Sequence, residues 1–196
     1  MATPRPELAE AVWTLLEADP ARMLALASSL RAPDRSIEST VAGVSMGRAL
    51  PPGSRIRIEL SGVRYDVGDV VAFLAGSQVV VHRMVYRGRL GAARGHVLTR
   101  GDSVLVPDPP LPHVNVLGPV TAVRRNDEWT EPGGAHRRSW PQRATAQLVL
   151  WAAVVAMSVS PRVASAGLSL LKRGERALRF AVARGSGRRA PASRLQ

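Results

Sequence analysis

The chain contains no cysteine. That excludes a disulfide frame and a thiolate metal centre, and it leaves the redox compartment open. Lysine is almost as scarce: of 27 basic residues, Lys172 alone is lysine, and it lies far along the C-terminal part. Aromatic residues make up 4% of the chain, and they do not interleave with basic residues as a base-stacking surface requires. Nor does a clean apolar run open the sequence. Glu7, Glu10, Glu17 and Asp19 interrupt residues 1–31, so no secretory signal is expected there.

Positive charge is plentiful. The formal charge is +12 over 196 residues, carried almost wholly by arginine. Such a surface favours anionic partners, here the anionic face of a membrane, whereas nucleic acid is not expected as a partner. The length suffices for one ordinary core with appended helices.

Periodicity divides the chain into five parts. Residues 1–37 read as two short amphipathic helices and a linker, with Leu8, Val12, Leu15 and Leu16 at helical spacing and Pro20 between the helices. From 38 to 125 the period becomes that of strands. Arg55-Ile56-Arg57-Ile58-Glu59-Leu60 alternates strictly, and strands are expected at Val70–Leu74 and Gln78–Tyr86 around a turn at Ala75-Gly76-Ser77. Further strands follow in "GHVLTRGDSVLVPD" and "VNVLGPVTAVRR", where Pro119 points to an edge or a bulge. The expectation is a mainly β fold with a small, coiled, barrel-like sheet.

Residues 126–143 read as a polar linker. Ala144–Ser160 is nearly all apolar and, at 1.5 Å per residue, about 25 Å long, at the short limit for crossing a bilayer. Pro161 should end or kink that helix. The apolar-basic pattern that follows, to residue 183, suits a headgroup layer, so 144–183 is a candidate membrane anchor and the chain is expected at a membrane, otherwise in the cytoplasm. Residues 184–196 read as a disordered tail.

Ser45 raises the question of chemistry. It stands in a small-residue turn, "GVSMGRALPPG", ahead of a strand. A serine hydroxyl becomes a nucleophile only with a base in reach and donors for the developing oxyanion. The β region holds no lysine, so its candidate bases are His82, His96 and His113, with His136 in the linker. Strand alternation puts His82 on one face with Val80 and Met84. "TRGDSVLVPD" supplies two acids, Asp102 and Asp108, either of which could orient the ring or merely cap its own turn. No histidine pair has helical i, i+4 spacing, so neither a metal nor another cofactor is expected.

The segments "GVSMGRALPPGSRIRI", "YDVGDVVAFLAGSQVVVHRMV" and "LTRGDSVLVPDPPLPHVNVLGPV" together resemble the successive boxes of type I signal peptidases. The archaeal and endoplasmic-reticulum branch, with its Ser-Met, Gly-Asp-Val-Val, His-Arg and Gly-Asp followed six residues on by Asp, is the most similar. The resemblance spans about residues 41–123. It implies a serine endopeptidase with Ser45 as nucleophile, His82 as base in place of the other branch's lysine, Asp108 as orienter and Asp102 as a supporting or alternative acid. It also implies a polypeptide substrate with small residues near the cut, in a leader of a secreted protein or modified peptide. The related self-cleaving repressors add self-processing as an expectation, and Ala164-Ser165-Ala166 before Gly167 is the matching small-x-small triplet.

The chain departs from that pattern at several points. Ala49 and Leu50 precede a displaced Pro51-Pro52, Ser54 follows Gly53, and the Gly-Asp-Asn-Asn stretch reads Gly-Asp-Ser-Val. Some relatives place an oxyanion hydroxyl two residues before the serine, where this chain has Gly43. The N-terminal anchor that usually precedes the serine box is replaced by soluble-looking helices. The rival reading from another class is a catalytically silent β module that binds or scaffolds a partner.

Overall fold

The computed structural model describes residues 36–60, 64–76, 78–133 and 139–186. The two expected N-terminal helices, Ser77, His136 and the end of the tail lie outside the described residues.

Among the described residues there are eight strands: β1 (Ser36–Thr40), β2 (Arg55–Glu59), β3 (Val70–Ala75), β4 (Gln78–Arg87), β5 (His96–Arg100), β6 (Leu111–Pro112), β7 (Val116–Arg125) and β8 (Glu128–Thr130). All pairings are antiparallel, in the order β1-β2-β7-β3-β4-β5-β6, with β8 on β7. The sheet curls into a half-barrel. Its hydrogen bonds are fixed by which side chains must be buried, because a slip of one residue would turn each apolar set outward.

The centre is buried on both faces. Along β3, Val70 and Ala72 join Met46, Leu50, Ile56, Ile58, Val120 and Val123 in one core cluster. Val71 and Phe73, pointing the other way, join Met84, Val97, Leu111 and Val116. That explains why β3 is a continuous apolar run while β2, with its polar face outward, alternates.

Three strands differ from the sequence reading: the two-residue β6 falls in the Pro-rich stretch between expected strands, β1 begins in an expected linker and β8 falls in another. β1 begins at Ser36, inside the expected linker, where Glu38 faces Arg57 and bonds Arg55 and Arg57 through its carboxylate. β8 lies in the expected polar linker. Asn126 and Asp127, both at positive φ (47° and 67°), make the two-residue turn that pairs β8 with β7. Pro119 is not on an edge. It sits in the strand that joins both halves of the sheet, opposite Val71, and register shifts lie on either side of it. Gly118 beside it packs on the backbone of Glu59 so closely that an added Cβ would lie 1.6 Å from the carbonyl oxygen.

The C-terminal region is a helical hairpin. Helix α1 (Trp140–Val159) starts after Ser139, whose N–H donates to the Gln142 side chain at 3.2 Å. Ser160 then leaves the helical conformation, and Pro161, which needs no N–H partner, opens helix α2 (Pro161–Ser186). α1 thus begins four residues before the expected apolar segment, and α2 extends into the expected tail. Ala153 and Met157 of α1 and Ala164 and Leu168 of α2 bury against Ala93, Leu98 and Val106 of the β domain. Among the described residues no helix is long and apolar enough to cross a membrane. The apolar run is therefore a docked helix with one buried stripe, which corrects the spanning form of the expected anchor. The Ala164-Ser165-Ala166 triplet lies within α2 with Ala164 buried, so it is coiled where a cleavable segment would have to be extended.

Candidate active site

The turn around Ser45 is held by apolar anchors. Met46 and Leu50 are buried in the core, and the chain just before the serine is tied down where Val41 N–H donates to the Ser54 carbonyl at 2.9 Å. With its neighbour anchored inward, Ser45 is left half-buried at the rim of the sheet. A second loop, Gly101–Val104, clamps it. Both the N–H and the hydroxyl of Ser103 donate to the Ser45 carbonyl, at 2.9 and 2.8 Å. Gly101 lies directly against it, and a Cβ there would come within 2.6 Å of that carbonyl oxygen and 2.9 Å of the Ser45 Cβ.

Strand β4 delivers the ring. His82 pairs with Val71 of β3, and its side chain is 7% exposed. Nε2 lies 2.8 Å from Ser45 Oγ, and Nδ1 lies 2.6 Å from Asp108 Oδ2. An ionised carboxylate only accepts hydrogen bonds, so Nδ1–H donates to Asp108. In the neutral ring with its proton on Nδ1, Nε2 accepts from the Ser45 hydroxyl. Phe73 flanks the ring, with centroids 6.0 Å apart, on the side of the apolar core.

Asp108 is held from several directions. Its N–H donates to the Thr99 carbonyl at 2.7 Å, which fixes the backbone. Oδ2 accepts both the His82 ring N–H and the Thr99 hydroxyl, the latter at 2.6 Å. Oδ1 accepts from the Lys172 ammonium of α2. Burial alone would raise the carboxyl's pKa. The His82 hydrogen bond and charge, followed by the Lys172 charge and hydrogen bond, outweigh burial and hold it below its ordinary value.

Asp102 is elsewhere. Its two oxygens accept from Nε and Nη2 of Arg83 at 2.9 and 2.8 Å. Arg83 also donates to the carbonyls of Gly68 and Gly133. Successive residues of β4 point to opposite faces, so His82 faces Ser45 while Arg83 pins the Gly-Asp turn from behind. Asp102 therefore supports the loop that clamps Ser45, and Asp108 is the acid on the ring. The other described histidines are not at this site. His96 makes a 3.2 Å contact with the Arg94 carbonyl, and His113 stacks on Tyr65 and accepts from Arg87.

Thr99 and Lys172 were not legible as site residues. Thr99 carries no motif, although its place opposite Met84 on the buried face of β5 is a strand-register consequence. Lys172 had one signal, its uniqueness in the chain, but nothing in the sequence tied it to residue 108. Among the described residues no group of three His, Asp or Glu side chains is arranged to hold a metal ion.

Two outcomes are expected. Gly101→Ala should push the Ser45 turn off its loop and lower labelling of Ser45 by a fluorophosphonate at least about tenfold, while circular dichroism reports an intact sheet. Asp108 should also link folding to pH. Its folded pKa is lowered, so the stability it contributes is complete above the unfolded carboxyl's pKa and is lost as pH falls through the lower folded value. Denaturant unfolding between pH 6 and pH 2 should show that loss in the wild type and a flatter acid limb in Asp108→Asn.

The sequence matches no protein-family model and no curated protein.

Proposed function

We propose that the protein is a serine endopeptidase of signal-peptidase type, acting through Ser45, His82 and Asp108. One observation carries the reading. A serine oxygen, both nitrogens of one imidazole and a buried carboxylate lie in hydrogen-bond sequence, at 2.8 and 2.6 Å. Nothing in the folding of a small sheet requires a half-buried hydroxyl, a ring and an acid to line up this way, and desolvating the acid has a cost that only its partners offset.

The chemistry balances without a cofactor. Ser45 Oγ forms a bond to the scissile carbonyl carbon as His82 Nε2 takes the hydroxyl proton. The carbonyl oxygen becomes an oxyanion, which backbone N–H donors of the serine turn, that of Ser45 itself among them, would receive. Gly43 brings no hydroxyl to this task, so a second donor beside the Ser45 N–H must be a backbone group or come from elsewhere in the chain. Collapse expels the amine, which leaves with the proton from His82. Water, deprotonated by the same nitrogen, then attacks the acyl carbon; the ester bond breaks, Ser45 Oγ takes the proton back from His82, and the carboxylate product leaves. Asp108 stays ionised throughout, fixing the ring's tautomer and stabilising its cationic form.

An extended substrate would add main-chain hydrogen bonds along a strand edge. β1 leads directly into the serine turn and, among the described residues, pairs on one side only, with β2. Small residues near the cut suit the close approach to a rim serine, and a leader of a secreted protein or modified peptide is the substrate class. Wild type should cleave such a peptide, and Ser45→Ala and His82→Ala should each lose at least about 10³-fold in kcat/KM. Equal activity in all three would reject the enzyme in favour of a silent scaffold.

The exposed face of the hairpin supports a place at a membrane surface. Leu148, Trp151, Val155 and Val159 of α1 and Val163 of α2 are exposed, and Arg143 and Arg162 stand at the ends of α1. This apolar stripe with basic flanks suits peripheral binding to an anionic membrane surface. Sedimentation with phosphatidylglycerol vesicles should capture the protein, weaken with salt and weaken several-fold in Trp151→Ser. Vesicles that leave the protein in the supernatant would remove the membrane from the proposal.

A further inference from the structure

Helix α2 meets the β domain with a charged face as well as an apolar one. Lys172 reaches Oδ1 of Asp108, the oxygen that neither His82 nor Thr99 uses. One helical turn on, the two oxygens of Glu175 accept the backbone N–H groups of Leu105 and Val106, at 2.8 and 3.1 Å. The two side chains grip a single segment, 105–108, from the same side of the helix. Beneath them Leu168 and Ala164 pack on Val106 and Leu98. The Lys172 side chain is 15% exposed, so its contact with the carboxylate is largely shielded from solvent.

The ammonium is not placed to act on Ser45. That oxygen is already bonded to His82 Nε2, and Lys172 contacts the far oxygen of the acid behind the ring. We propose that Lys172 is a positioning residue, by which helix α2 orients the Asp108 carboxylate and shares its negative charge with His82. The proposal rests on the serine-peptidase reading and deepens it by making the C-terminal hairpin part of the reactive centre.

The sign of its effect follows from charge counting. At rest, the carboxylate and the ammonium cancel. When His82 gains a proton, two cations share one anion. Lys172 thus opposes protonation of the ring and favours the form in which Nε2 can take the serine proton. The other charged groups on the surrounding elements are committed elsewhere. Asp102 and Arg83 pair with each other, Glu175 binds the two amides, and Arg100 of β5 donates to the Ala146 carbonyl of α1. Arg48, in the serine turn, is exposed.

The test uses the full chain as wild type, Lys172→Met, Lys172→Gln and Lys172→Arg. Two readouts apply: the pH profile of kcat/KM, and the titration of the His82 ring followed by 15N NMR. In the Met and Gln variants the acid limb and the ring titration should move to higher pH by about one unit. Activity at pH 7 should fall about three- to fivefold with KM little changed, and recover at higher pH, while Arg restores the wild-type profile. Loss of activity at every pH with an unmoved ring titration would mean a structural role only, and overturns the proposal. In the wild type itself, the lone lysine side-chain signal should shift as the ring titrates. A signal blind to that step overturns the proposal even if the variants do not fold. If no substrate or probe ever reacts at Ser45, the peptidase reading fails while the ring titration still reports on Lys172. If cleavage is Ser45-dependent and the ring titrates identically with and without the ammonium, only the Lys172 proposal fails.

Discussion

The arrangement depends on one carboxylate. Asp108 is buried, and an ionised acid in that position is tolerable only if its oxygens are fully engaged. Three groups meet that demand, the ring of His82, the hydroxyl of Thr99 and the ammonium of Lys172, while the Asp108 N–H donates to the Thr99 carbonyl and fixes the backbone. They come from β4, β5 and α2, so satisfying one side chain brings three distant pieces of the chain into register. The same hydrogen bonds set the tautomer of His82. Local charge balance and the readiness of the serine are thus aspects of one constraint.

Around it the molecule uses pairs of adjacent residues that face opposite ways. In the serine turn, Met46 goes into the core and Ser45 is left at the rim. On β4, His82 turns to the serine and Arg83 turns to the Gly-Asp loop, which in turn grips the serine's backbone. A dipeptide such as Ser-Met or His-Arg is therefore a mechanical unit, with one half anchoring and the other presenting. The resulting geometry is held by short-range backbone contacts, above all the close approach of Gly101 to Ser45, rather than by any single strong bond.

Much of this was legible in the order of residues. Strict alternation at Arg55–Leu60 and the turn at Ala75–Ser77 announced β2, β3 and β4 to within a residue or two, because strand periodicity reflects which side chains must leave water. The Ser45, His82 and Asp108 set was legible only as residue types in sequence order. Residue types alone left Asp102 and Asp108 open, since both lie in turns; the motif resemblance favoured Asp108, and in the structure Asp108 meets the ring while Asp102 meets Arg83. β1 and β8 were hidden because their sequences are polar. They form mainly through edge pairing, ion pairs and an Asn-Asp turn, with Ile37 of β1 packed against the core. The 144–160 run was apolar enough to suggest lipid. Its actual partner is the β domain, which takes Ala153 and Met157 and leaves Trp151 outside. Composition shows that a helix needs covering, but not what covers it.

The contact between residues 108 and 172 has a consequence for how the molecule can be cut. The sheet ends at Thr130, and a boundary drawn there would look natural by every measure of chain continuity. A fragment stopped at that point would keep the serine, the imidazole and the acid, yet it would expose the apolar back of β5 and leave one oxygen of the acid without its cation. Excision at the hairpin, whether by a biochemist or by a frameshift, would thus yield a polypeptide that retains all three motif residues and is nevertheless chemically incomplete. A nascent chain is in the same condition until α2 has emerged and docked.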